Sequence, residues 1–318
     1  MYQFSIPDLE RTSAQSRSAA SFPGRKMGLI YAGPMIALEL LLVGLSLLIQ
    51  DWMQGLSGLS ALGTASMLDT AQVVVSLLPV ILTPFWYAGY TKYVLDTVNR
   101  QPTGPKTILD GFRLWGKVLF TTVLFVFFVA ALGYFLYFFA SMAYLSVRYL
   151  GRAEALAEIA KTQQIPSELL PPLMALMAAA FLISYVVFFY RYRLMYFALF
   201  SGPEQPAVLV LRRSRMLMRA RTGAFMRLDL HFWWYWLLRL LSGALLQLDL
   251  ILAFLHISLP ISEVGQSLLC IVLWAAAELS IDCLAMDRVW CTYAAAYSAA
   301  AAAQPQPAPP TRQQFHWQ

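Results

Sequence analysis

The chain has 318 residues, 59% of them hydrophobic and only 13% charged, with a mean hydropathy of +0.59. A soluble domain is about half apolar and a quarter charged, so this composition excludes an ordinary soluble protein and points to segments of about 20 apolar residues crossing a bilayer core about 30 Å thick. The net charge of +6 is read first as topology and only then as nucleic-acid binding, because Lys and Arg collect on the cytoplasmic side of membrane proteins.

Residues 1–27 are polar and basic, with Arg11, Arg17, Arg25 and Lys26, and a short helix is expected from about Asp8 to Ala20. The apolar run Met27 to Gln50 is too long for the core of a signal peptide and lacks a clear cleavage site, so it reads as the first membrane helix. Further spans are expected at about Ala71–Leu95, Gly116–Val147, Leu173–Phe200, Leu230–His256 and Val264–Tyr297. The third exceeds what a bilayer needs and must tilt or project. The fourth follows Pro171-Pro172, and residues 304–318 are rich in Pro and Gln, the composition of a disordered tail. The expected fold is an all-α, polytopic membrane bundle of about six transmembrane helices plus two short amphipathic interfacial helices. Its parts are a cytoplasmic segment 1–27, a transmembrane domain 28–300 and a cytoplasmic tail 301–318.

The basic residues orient this map. With the N-terminus inside, 19 of the 23 Lys and Arg fall in cytoplasmic segments. Only Arg148, Arg152 and Lys161 fall outside, and Arg239 lies within a span. That bias places both termini in the cytoplasm of a cell-membrane protein and favours an even number of spans. Aromatic clusters at Phe85-Trp86-Tyr87, Trp115, Tyr190, Phe232 to Trp236 and Trp290 fall near the inner helix ends, where an interfacial belt is expected, with core packing as the competing reading.

Two inner loops look amphipathic. After Pro206, the residues Ala207, Val210, Leu211, Ser214, Leu217 and Met218 form one helical stripe, and Arg212, Arg215 and Arg219 form another. Such a helix is expected to lie in the interface, apolar face down and arginines toward anionic headgroups. Docking of an unidentified membrane or cytoplasmic protein is the second reading; nucleic acid ranks last, since no exposed folded module is present to read it. In the first inner loop Ile108, Phe112 and Trp115 share a face opposite Lys106, Asp110, Arg113 and Lys117. The recurrence of turn, amphipathic helix and span suggests a parallel internal repeat.

Five charged side chains fall inside the expected spans: Glu39, Arg239, Asp249, Glu278 and Asp282. A charge at the bilayer centre costs about 3 kcal/mol or more, so it faces the bundle interior and seeks a partner. Counting about 1.5 Å per residue, Arg239 reaches the depth of Glu278, with Asp282 one turn nearer the inner face and Glu39 a second candidate partner. Ser242, Gly243 and Ala275 would let the helices approach closely. Four acids against one base leave either a proton or cation pathway, or a structural pair with the remaining acids reaching out at helix ends.

No chemistry is announced. The sequence has no G-x-x-x-x-G-K-[ST], H-E-x-x-H or G-x-S-x-G motif, and Ser184, Ser242 and Ser280 have no histidine in the spans beside them. Cys270, Cys283 and Cys291 have no framework spacing and His231, His256 and His316 are scattered, so neither a disulfide scaffold, a metal nor another cofactor is expected.

Several segments resemble one bacterial family. Ser214-Arg215-Met216-Leu217-Met218-Arg219, followed by Phe225 to Trp234, resembles its S-R-x-[LM]-M-x-G and L-x-L-D-L-S-F-x-W signature. Pro84 to Tyr90, Leu109 to Gly116, Tyr190 to Arg193 and Thr292 to Tyr297 fit as well, so the likeness spans roughly residues 65–300. Ala220 and His231 depart from the family's usual Gly and Ser. The family is the bacterial integral membrane group known as domain of unknown function 975. The resemblance implies a multi-pass protein of the bacterial cell membrane and no particular activity, which leaves a non-enzymatic scaffold or accessory protein as the first expectation and a transporter or channel using its intramembrane acids as the alternative.

Overall fold

The computed structural model describes residues 5–54, 59–149, 167–219, 221–246, 248 and 263–303. Among these the chain is helical, with no strand. In order come α1 (Ile6–Ser18), α2 (Gly24–Gln54), α3 (Leu59–Val98), a 3₁₀ turn (Pro105–Leu109), α4 (Asp110–Arg113), α5 (Trp115–Arg148), a second 3₁₀ turn (Ser167–Leu169), α6 (Leu170–Tyr192), α7 (Met195–Ser201), α8 (Ala207–Arg219), α9 (Thr222–His231), α10 (Trp233–Leu245), α11 (Glu263–Ile281), a π turn (Asp282–Met286) and α12 (Asp287–Ala302). Three stretches are long and apolar enough to cross a membrane: Trp115–Arg148, Leu170–Ser201 and Leu268–Ala302. Their apolar side chains are largely exposed, among them Phe127, Phe138, Leu182, Val186 and Val272. In water such a surface would aggregate; in lipid it is solvated.

The chain divides into two compact units, Met1–Trp115 with Gly223–Gln318, and Gly116–Thr222. In the first, α3 runs 40 residues, about 60 Å, and carries Pro79 and Pro84. It begins well before the expected Ala71. It ends at a turn in which Arg100 takes a left-handed φ of 56°, and the Gln101 amide donates back to the Asp96 carbonyl.

The loop that follows differs from expectation. It forms a 3₁₀ turn and a single turn of helix, not an interfacial amphipathic helix. Glycines decide this. A Cβ at Gly89 would overlap the Ile108 carbonyl, and one at Gly111 would overlap the Phe85 carbonyl, so the loop backbone lies directly on α3. Ile108 is buried, and Phe112 packs 5.3 Å from Phe85 and 5.4 Å from Trp86. Trp115, expected on the same face, is 65% exposed.

The core of this unit surrounds α12, where every residue from Val289 to Tyr297 is buried. Tyr90, Tyr93, Phe225, Phe232 and Tyr235 are buried with it. Several aromatics read as an interfacial belt are therefore core: Trp290 packs against Tyr87 at 5.1 Å, and the Trp86 indole donates to the Tyr31 carbonyl at 2.9 Å. Trp115 and Trp233 remain exposed, as a belt requires. The helix α1, expected from its sequence, docks on this core through Leu9, Ser13 and Ser16.

In the second unit α5 and α6 pair along an aromatic seam. Phe128 stacks on Phe188 at 5.6 Å, Tyr134 meets Phe181 at 5.1 Å, and Gly133 lies under the Phe181 ring. The Ser184 hydroxyl donates to the Val129 carbonyl at 2.7 Å, so this serine is a packing residue. The Thr122 and Tyr196 hydroxyls share a 2.7 Å bond, and Lys117 donates to the carbonyls of Pro203 and of Gln205, the latter at 3.0 Å. These bonds fix the turn that launches α8.

Candidate functional site

The first site is the charged cluster of the first unit. Arg239, on α10, donates to Glu278 of α11 and to Asp282 at the start of the π turn. Glu278 and Asp282 are four residues apart, hence on one helix face, which is why a single guanidinium reaches both. The guanidinium also lies 5.5 Å from the ring centre of Tyr235, and its Nε donates to the Tyr235 hydroxyl at 3.3 Å. The Arg239–Glu278 pairing read from depth is thus present, and Asp282 joins it.

Two expectations about the acids change. Asp282 does not reach out at a helix end: its side chain is 4% exposed and bonded to Arg239. A Cβ at Gly28 would overlap the Asp282 carbonyl, so α2 presses its backbone onto the π turn and closes that side. Glu39 is half-buried on α2 and has no ion pair among the described residues, so it is not the partner of Arg239. Asp249 lies outside the described residues. Of the small residues on α10, Ser242 is buried and Gly243 is exposed. The helices α10 and α11 do pack against each other, while nothing lies within 4 Å of where a Cβ on Gly243 would stand and a partly open crevice of about 640 Å³ lies beside Ser242.

The second site is α8, in the second unit. Val210, Leu211, Ser214, Leu217 and Met218 are buried, as the stripe predicts. What they face is protein: α8 packs against α6 and α7. This corrects the expectation that the apolar stripe lies on lipid, because the stripe is already spent on the fold. Arg212, Arg215 and Arg219 are exposed on the opposite side, and Val208, Leu209 and Met216 are exposed among them. The result is a basic face with apolar side chains set into it, held rigid from behind.

A third cluster was not foreseen. Glu10 of α1 accepts from Arg288 at 2.9 Å and lies 3.3 Å from the His231 ring nitrogen. Burial alone would raise its carboxyl; the bonds and charges of Arg288 and His231 outweigh that and hold it below the usual value of 4.5. On the same helix the Ser13 hydroxyl meets that of Thr292 at 3.3 Å, and beyond its end the Ser21 hydroxyl donates to the Thr103 carbonyl at 2.8 Å. The clue in the sequence was an acid on the polar N-terminal helix, but its partners lie more than 200 residues away. Among the described residues no group of three His, Cys, Asp or Glu forms a metal site, and the three cysteines are free.

Set beside protein-family models, curated proteins and solved structures, the chain matches none of them.

Proposed function

We propose that the chain is a six-span protein of the bacterial cell membrane with both termini in the cytoplasm, a non-enzymatic scaffold or accessory protein that works through the basic face of α8. The motif resemblance to the bacterial membrane family supports the class. The 31 residues of α2 and 40 of α3 supply length for further spans beside the three apolar stretches, and the distribution of Lys and Arg supports the orientation.

The single observation that carries the reading is the geometry of α8. Three exposed arginines stand on a helix whose other side is locked into the fold. Arg presents a planar fork of donors suited to phosphate or carboxylate, so the face suits anionic headgroups or an acidic partner surface. Changing Arg212, Arg215 and Arg219 together to Gln should leave membrane insertion intact and abolish association with anionic vesicles and with co-purifying proteins. Unchanged lipid-binding and pull-down profiles would sink the reading.

One observation keeps the transporter alternative in view: Glu39, half-buried on α2, has no ion pair among the described residues. Arg239 engages Glu278 and Asp282, which weighs against a pathway through those two acids. Reconstituted vesicles that show a flux lowered by Glu39→Gln or Glu278→Gln would favour transport over the scaffold.

A further inference from the structure

The outward side of α8 is not uniformly polar. At about 100° per residue, Arg215, Val208, Arg219 and Arg212 fall within about 60° of arc, Met216 and Leu209 follow about 20° apart, and Arg213 lies beyond them. Arg213 is half-buried and the others are exposed. The face is thus an apolar ridge with arginine on both flanks. The helix carries no acid, and none of its four arginines forms an ion pair among the described residues.

The level of this face in the molecule decides what it meets. Lys117, in the first turn of α5, donates to the carbonyls of Pro203 and Gln205 just before α8. On the other side α7 begins two residues after α6 ends, and α8 packs on both. α8 is therefore fastened where α5 begins and α6 ends. The surface suited to lipid starts at the same height, since Leu119 and Phe120, within a turn of Lys117, are exposed. A bilayer that solvates α5 and α6 ends here in its headgroup layer. A protein partner would have to displace the headgroups, whereas their phosphates are already in place.

The chemistry agrees. A guanidinium fork meets two phosphate oxygens at once. Arg212, Arg215 and Arg219 are spaced three and four apart, so neighbours on the helix can share one phosphate. An arginine stem lies along apolar surface while its head reaches for the phosphate, which leaves Leu209 and Met216 free to sink a few ångströms into the boundary layer. The side of α8 that meets lipid is then the arginine side, opposite the stripe that residue spacing assigns to it.

We propose that the outward face of α8 binds the phosphates of anionic phospholipid headgroups, with Leu209 and Met216 dipping among the upper acyl chains. This rests on the membrane reading above and commits the basic face to one of the two chemistries that reading left open.

The full chain carrying Met216→Cys, labelled with an environment-sensitive fluorophore, is placed in lipid nanodiscs of phosphatidylcholine with a rising share of phosphatidylglycerol. Protein without the substitution, labelled in parallel, supplies the background from its own cysteines. Protection of the probe from aqueous iodide and its quenching by nitroxide lipids should rise together with the anionic share. Each basic residue near an anionic surface contributes about fivefold, so changing Arg212, Arg215 and Arg219 to Gln should weaken docking about 100-fold and leave the probe open to iodide at every composition, with the melting transition kept. Iodide access that is the same with and without phosphatidylglycerol, or the same in the Gln variant as in its parent, would overturn the proposal. Inorganic phosphate added to discs of phosphatidylcholine alone should not protect the probe; protection by it would assign a free-phosphate site in place of a headgroup site. A probe open to iodide in all discs, while a protein still co-purifies through the arginines, would overturn this proposal and keep the scaffold reading. A chain that does not enter the discs would refute the membrane reading and this proposal with it.

Discussion

Arg239→Met tests whether the buried cluster is a charge-compensated structural unit. The substitution keeps much of the side-chain volume and removes the charge. It breaks both ion pairs at once, leaving Glu278 and Asp282 facing each other with side chains 15% and 4% exposed. Removing one partner of a buried pair costs about 3–5 kcal/mol. Arg239 itself is a quarter exposed, which favours the lower end, and the lost contact with Tyr235 adds up to about 1 kcal/mol. A net loss of about 4 kcal/mol is therefore expected, read as a lower unfolding midpoint in mild detergent micelles. Glu278→Gln or Asp282→Asn alone should cost less, about 1–2 kcal/mol, because the amide oxygen still accepts from the guanidinium. The decisive variant combines Arg239→Met, Glu278→Gln and Asp282→Asn. Buried ion pairs replaced as a whole by neutral groups are often neutral in stability, so the triple variant should recover to within about 1 kcal/mol of the wild type. A triple variant as unstable as Arg239→Met would refute charge compensation, and an Arg239→Met protein with an unshifted midpoint would refute the pairing itself.

Three other perturbations follow from the contacts. Gly89→Ala and Gly28→Ala drive a methyl into the backbone carbonyls of Ile108 and Asp282 and should cost about 3 kcal/mol or more, whereas Gly33→Ala, with nothing within 4 Å, should be neutral or better; equal melting of all three variants would contradict the close approach. The Glu10 carboxyl is held below its usual value of 4.5, so its stabilisation of the α1 docking is present at neutral pH and is lost as the pH falls below that value. Amide exchange in α1 should accelerate there, and in Glu10→Gln it should already be fast at neutral pH, with a pH-independent rate ratio between variant and wild type counting against the clamp. Lys117→Met removes the two donations to Pro203 and Gln205, and should weaken the turn before α8 by about 1.5 kcal/mol, visible as faster proteolysis after Arg212 or Arg213.

The sequence made some of this legible because periodicity and composition act locally. The apolar runs at Trp115–Arg148 and Leu170–Ser201, and the buried stripe of α8 from Val210 to Met218, follow from residue spacing alone. The Arg239–Glu278 pair was legible for a different reason: an apolar surrounding leaves an ion few partners, and counting residues from a helix end gives its depth. What escaped was whatever depends on which surface comes to meet a residue. The stripe of α8 has the same pattern whether it covers lipid or α6, and Trp290 has the same amphipathic ring at an interface or against Tyr87. The close packing of the 105–113 loop depended on Gly89 and Gly111 coinciding across two segments, which no single window shows. The small residues Ser242, Gly243 and Ala275 flank a helix pair that does pack, yet Ser242 is buried and Gly243 exposed, a difference that spacing alone does not show.

The rod formed by α11, the π turn and α12 explains why the charges and the crevice lie together. At its start Leu268, Leu269, Val272 and Leu273 are exposed, and from Val289 to Tyr297 everything is enclosed by protein. One helix thus passes from surroundings that suit lipid to surroundings that suit a protein core, and the π turn falls at the change. An extra residue in a helix turn rotates all that follows by about 100°. That rotation lets Glu278 and Asp282 face Arg239 on α10 while the residues beyond Met286 turn their largest side chains, Trp290, Tyr293 and Tyr297, into the core. A regular helix of the same sequence would have to give up either the ion pairs or the packing of α12. The π turn satisfies both demands, and Ile281, just before it, and Leu284, within it, line the crevice beside α10.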